Sequence, residues 1–369
     1  MLIRPRRRRR RIWPRLLLIG LVGLAIALYA RTRGLIPLEE PQSPPEITET
    51  STEHILEGDR LFREGKIDEA ITEYKGATKL DPQNPTAYAR LAKLLTLRRR
   101  YSEAVSSAQR AIELDPESAE GYANLAMALN WQGDYDGAIN AALRAIELDP
   151  DYAPAHAFLA AAYASKGYLH KAQEMAEEAV RLDGESIDAH YSLGYALECK
   201  GDYEGAIAPY KRAIELQPNL SYLHIGLGKN YRVLHRYEQA IAQFRKAIEV
   251  DPDNPEGYDC VGLVYYDQGD IERAVVQFQR AVEVDPEYAH GYGHLGWCYY
   301  VKMNYEDAIP QFKKAIELGA GSIEYYYELG WCYVLLDGCD EARVWLQRAL
   351  EIDPQCKPAQ EGLKACEGK

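Results

Sequence analysis

"AIELDP" at Ala111–Pro116 returns letter for letter at Ala145–Pro150, 34 residues later. Blurred versions follow in the same frame: "AIELQP" at Ala213–Pro218, "AIEVDP" at Ala247–Pro252, "AVEVDP" at Ala281–Pro286 and "AIELGA" at Ala315–Ala320. "ATKLDP" at Ala77–Pro82, "AVRLDG" at Ala179–Gly184 and "ALEIDP" at Ala349–Pro354 complete the series. Nine units therefore run over residues 51–356. A fixed period of this length marks stacked supersecondary units in place of one globular core.

Each unit carries two apolar stripes of helical period. In the eighth, Tyr292, Leu295, Gly296 and Tyr299 share one helix face, and Ala308, Phe312 and Ala315 share another. The turn between them is written "QGDY" at Gln132–Tyr135 and "KGDY" at Lys200–Tyr203. Gly133 and Gly201 suit the left-handed residue that ends a helix, and Asp134 and Asp202 suit the cap of the next. Pro82, Pro116, Pro150, Pro218, Pro252, Pro286 and Pro354 stop the second helices. Asn84–Pro85 and Asn254–Pro255 open first helices. Alanine recurs at 104, 138, 172, 206, 240, 274, 308 and 342, where it lets helices approach closely.

"YGHLGWCYY" at Tyr292–Tyr300, followed by Ala308, Phe312 and Ala315, resembles the tetratricopeptide repeat family, and the same frame fits all nine units. The resemblance implies an all-α fold: a right-handed superhelix (solenoid) of nine 34-residue helix-turn-helix repeats whose first helices line a concave groove. Several positions depart from the pattern. Gly184 and Ala320 replace the usual Pro, the turns of units two, six and eight lack Gly, and Pro209 and Pro310 fall inside second helices. Residues 357–369 are expected to form a C-terminal capping helix.

The N-terminus is a different object. Residues 1–15 are Arg-rich, 16–30 are apolar and uncharged, and 31–50 form a Pro-rich linker. The ten Arg before residue 34 offset an acidic remainder of 33 basic and 56 acidic residues. Fifteen helical residues span roughly 22 Å, short of the ~30 Å hydrocarbon core. That length fits a signal-peptide core with "AIA" at Ala25–Ala27 as a cleavage site. It also fits a short anchor flanked by Arg15 and Arg31 with Trp13 and Tyr29 at the interfaces. In both readings the excess of Arg before the run keeps the N-terminus in the cytoplasm, and the repeats lie outside it. The acidic array argues against nucleic acid along its length.

The positions that the resemblance places on the groove are sparse in the early units and aromatic in the later ones. They are Tyr191 and Tyr195, then Tyr222, Lys229 and Arg232, then Tyr266, Trp297 and Tyr300, and last Tyr327 and Trp331. Tyr and Trp dominate binding hot spots, which points to a protein or peptide partner. Their plainer role is padding between adjacent helices. His290 and His294 share a helix face one period before Glu324 and Glu328. This set fits a solvated polar face, an acidic and aromatic pocket for a basic segment, or an alternative metal- or small-ligand-binding site. Gly293 is expected to admit something to the backbone of that groove. His156, His190 and His224 recur at one position and read as core. Cys298, Cys332 and Cys366 repeat at 34 and lie too far apart to pair with one another. Lys93 and Asn124 match two places of the family's carboxylate clamp, but Pro154 and Phe158 stand where its bases belong. No cofactor motif and no catalytic constellation appears, so the expected function is a non-catalytic scaffold.

Overall fold

The computed structural model describes Tyr29 and residues 50–367. The array from Thr50 onward is one compact unit. The Arg-rich segment, the linker up to residue 49 and the apolar run apart from Tyr29 lie outside the described residues. Among the described residues, no helix is long and apolar enough to cross a membrane.

The array is all-α, and each repeat is a helix pair. The first helices are α1 (Ser51–Arg63), α3 (Pro85–Leu97), α5 (Ala119–Gln132), α7 (Ala153–Ser165), α9 (Ile187–Cys199), α11 (Ser221–Val233), α13 (Pro255–Asp267), α15 (Ala289–Val301) and α17 (Ile323–Leu335). The second helices are α2 (Ile67–Leu80), α4 (Tyr101–Leu114), α6 (Tyr135–Leu148), α8 (Leu169–Leu182), α10 (Tyr203–Leu216), α12 (Tyr237–Val250), α14 (Ile271–Val284), α16 (Tyr305–Glu317) and α18 (Cys339–Ile352). The cap is α19 (Lys357–Ala365).

The turn chemistry is as expected. Gly133 and Gly201 take φ of +97° and +85°. Asp134 and Asp202 accept from the backbone of Gly137 and Gly205 at 2.9 Å. Asn84 and Asn254 cap α3 and α13. Where glycine is missing the chain adopts the same conformation with Arg99, His235 and Met303, and Asp337 does so in the ninth turn. The recurring histidines are bonded, and His156 and His224 are buried as expected, but His190 is only half-buried. His156, His190 and His224 each bond through Nε2 to the carbonyl six residues back, at 2.8–2.9 Å.

Packing changes along the array. First helices of repeats two to five lie directly against one another, whereas from repeat five onward they barely touch. Small side chains explain the first regime: Ala123, Ala155, Ala157 and Ala160 are all fully buried. Aromatic rings explain the second. Tyr191 of α9 meets Tyr222 of α11 edge-on at 5.0 Å.

The array also contacts itself across a turn of the superhelix. Lys93 of repeat two bonds Asp188 of repeat five at 2.6 Å. Arg98 pairs with Asp68 at 2.9 Å and with Asp251 of repeat six. Gln217 Nε2 donates to the carbonyl of Phe62 at 2.8 Å. Leu61 and Ile67 share a core cluster with Leu220 and Leu223. Gly65 sits at this seam with φ +79°, where a Cβ would lie 2.3 Å from the Asn219 carbonyl oxygen.

A pair of substitutions isolates the seam. Gly133→Ala has φ +97° and open space around it, so it should cost only the left-handed penalty, about 1–2 kcal/mol. Gly65→Ala adds a backbone collision and should lower the thermal midpoint further while expanding the particle in small-angle scattering. Equal effects of the two substitutions would mean that the seam contributes nothing.

Candidate functional site

A half-open chamber of about 370 Å³ lies inside the turn of the array. Its wall combines Tyr191, Tyr195, Tyr222, Lys229 and His290 with Arg99, Trp131 and Tyr288. Trp131 of α5 meets Tyr222 of α11 edge-on at 6.3 Å, across the turn. The Arg99 guanidinium lies 5.0 Å over the Tyr288 ring, also across the turn. Tyr191 and Tyr195 stack nearly parallel at 6.4 Å. Glu198 accepts from Tyr210 at 2.9 Å and from Asn230 at 2.8 Å. Lys229 and Glu256 pair at 2.6 Å. Burial alone would raise the Glu256 carboxyl, but Lys229 beside it wins and holds it below the usual range. Asn130, only 9% exposed, lines the chamber with an unpartnered Oδ1.

A second cluster lies farther along the groove. Trp297 of α15 contacts His294 at 5.1 Å and Tyr325 of α17 at 5.5 Å, ring centre to ring centre. His294 Nδ1 and Asp259 form a buried pair at 2.6 Å. Glu328 carries a wholly buried Oε2 with no hydrogen-bond partner, and so does Trp297 at Nε1. Burial and the neighbouring Glu324 push the Glu328 carboxyl up to about 8.

Family models described as TPR repeat match residues 58–97 and 228–269. Models described as tetratricopeptide repeat match 87–120, 119–152, 153–186, 187–220, 262–323 and 302–365. The chain belongs to the tetratricopeptide repeat family. No curated protein matches this TPR chain. Among solved structures it is similar to a chain of the APC/C hetero-tetramer Cut9–Hcn1, with a TM-score of 0.60 and 16% identity over 86% of this chain and 76% of that one. It also aligns with Pseudomonas aeruginosa pilF, with a TM-score of 0.49 and 17% identity over 57% of this chain and 96% of that one. A third match is a thermophilic TPR protein in Thermus thermophilus, with a TM-score of 0.46 and 22% identity over 50% of this chain and 100% of that one.

Several groove side chains of this TPR array are already engaged. Lys229 and Arg232 pair with Glu256 and Asp267, each at 2.6 Å. Trp331 donates from Nε1 to the Pro358 carbonyl at 3.0 Å and so helps hold the cap. Gly293 does not open the backbone to the groove, because the Tyr325 ring occupies that space; a Cβ there would lie 2.1 Å from its Cζ. Lys93 and Asn124 are bonded to Asp188 and to the Ala89 carbonyl, so the carboxylate clamp is not assembled. Among the described residues, no three His, Cys, Asp or Glu side chains gather as a metal site. Arg99, Trp131 and Tyr288 were not expected at the site from the sequence, because they reach it only through the superhelical turn. Nor was the disulfide between Cys339 and Cys366, whose Cα atoms are 5.5 Å apart.

The buried Glu328 predicts an unusual pH dependence. Its folded value, about 8, exceeds the ordinary 4.5, so the folded chain holds a proton that the unfolded chain has lost. Its contribution therefore turns progressively unfavourable as pH rises through that window. Glu328→Gln should raise stability by on the order of 1 kcal/mol or more at about pH 8 and change little at about pH 4. Thermal unfolding at both values measures this, and an equal effect at both would contradict it.

Proposed function

We propose that this TPR protein is a non-catalytic scaffold that holds a segment of a partner protein in the groove of repeats five to nine. The observation that carries this reading is the chamber. Five side chains of the expected groove converge on one cavity, and residues across the turn complete its wall. Aromatic walls supply large contact area at low entropic cost, and a few fixed polar groups orient what they hold. Farther along the first helices stand the half-buried rings of Tyr266, Trp297, Tyr300 and Tyr327. The array's excess of acid turns it away from nucleic acid.

The scaffold works outside the cytoplasm, delivered or held there by residues 16–30. The eight Arg before that run against two just after it support this orientation. The Cys339–Cys366 disulfide supports it as well, because such bonds persist in oxidising compartments. A linker with four Pro in residues 34–50 would hold the array away from the membrane surface.

Capture from the native source tests the reading, with the full chain as bait. Tyr300→Ala/Tyr327→Ala should lose a partner that the unmodified chain keeps, since each hot-spot truncation costs on the order of 2 kcal/mol or more. Leu143→Ala, on an exposed second-helix position, should retain it. A partner that survives the tyrosine pair but not the Leu143 change would place recognition on the convex face.

A further inference from the structure

Glu256 and Glu324 stand at the same position two repeats apart but in different company. Glu256 of α13 binds Lys229 of α11 at 2.6 Å. At the register of Lys229, two repeats on, stands Trp297; at the register of Arg232 stands Tyr300. The acid recurs, and both cations are replaced by aromatic rings. A second carboxylate, Glu328, stands one turn beyond Glu324 on α17.

The groups around this spot include no counter-ion. From α13, Tyr266 is within electrostatic reach of Glu328, and from α15 so is Tyr300. From α17 come Glu324, Tyr325, Tyr327 and Cys332. Cys356, capping α19, acts on Tyr327, and the His294–Asp259 pair lies behind Trp297. Among the described residues, this set contains no lysine or arginine. Glu328 Oε2 and Trp297 Nε1 remain buried and unpartnered. Buried polar groups are normally satisfied, so an unpaired carboxyl oxygen beside aromatic faces points to a partner that the array itself does not supply. The described array carries a large excess of acid, which draws cations toward it.

We propose that Glu324 and Glu328, faced by Trp297 and Tyr300, form a receptor for a lysine or arginine side chain of the partner segment. This rests on the scaffold reading and names the chemistry that it recognises. The guest cation takes the place that Lys229 fills in the earlier repeat. It bonds to the carboxylates, while the rings supply cation–π attraction. Binding ionises Glu328, and its proton leaves to solvent.

The probe is a blocked peptide of alternating Ala and Lys, compared with one of alternating Ala and Gln, titrated calorimetrically into the full chain. Between about pH 7 and pH 9 the affinity for the Ala-Lys peptide should rise about tenfold, then level off, with close to one proton released at about pH 7 and almost none at the plateau. Lysine stays charged throughout this range, and the ordinary carboxylates are already ionised. Glu328→Gln should abolish the slope and weaken binding tenfold or more at about pH 9. Trp297→Leu should weaken it while leaving the slope. A flat profile for the unmodified chain, unchanged binding by Glu328→Gln, equal binding of the Ala-Gln peptide or no binding at all would each overturn the proposal. A native partner captured equally by the unmodified chain and Glu328→Gln would overturn it too, while leaving the scaffold reading intact.

Discussion

The structure depends on how much volume each helix pair shares at one point of closest approach. Six repeats place glycine on the first helix there and a bulky side chain on the second. A Cβ built on Gly58, Gly194, Gly228, Gly262, Gly296 or Gly330 would lie 2.4–2.9 Å from Tyr74, Tyr210, Phe244, Phe278, Phe312 or Leu346. The other three place alanine on both: Ala92 with Ala108, Ala126 with Ala142, and Ala160 with Ala176, all fully buried. No repeat mixes the two solutions. Close packing forbids both an overfilled and an empty contact, so the two positions must change together.

That constraint shapes the groove. The all-alanine repeats form one consecutive block, and their first helices lie close together. Bulky residues return with repeat five, where the first helices part and rings fill the intervals between them. A tight early half brings repeats one and two back against repeats five and six, where Arg98, Gln217 and Gly65 form the seam. A solenoid is ordinarily coupled only between neighbours. Here the turn adds long-range contacts and brings Arg99 and Trp131 against Tyr288 and Tyr222 at the chamber.

The period, the helix pairs and the caps were legible because each is written within one unit of 34 residues. Contacts spanning many units were not. Nothing in the sequence around Arg99 announces Tyr288, since their meeting depends on the accumulated rotation of several repeats. The Cys339–Cys366 bond was hidden for a related reason. Cys366 follows the 34-residue series of Cys298 and Cys332, but its partner lies outside that series. Trp331 resembles a groove ring by position, yet the cap supplies it with an internal acceptor that periodicity alone does not reveal.

The proposed recognition surface is formed by the first helices of repeats five to nine, with repeats two and three completing the wall. Hydrogen exchange of the full chain, with and without a captured partner, tests this most directly, because protection reports local opening element by element. A partner held there should slow exchange in α9, α11, α13, α15 and α17 and leave the second helices α12, α14 and α16 unchanged. Protection concentrated on those second helices, with the first helices unaltered, would contradict it.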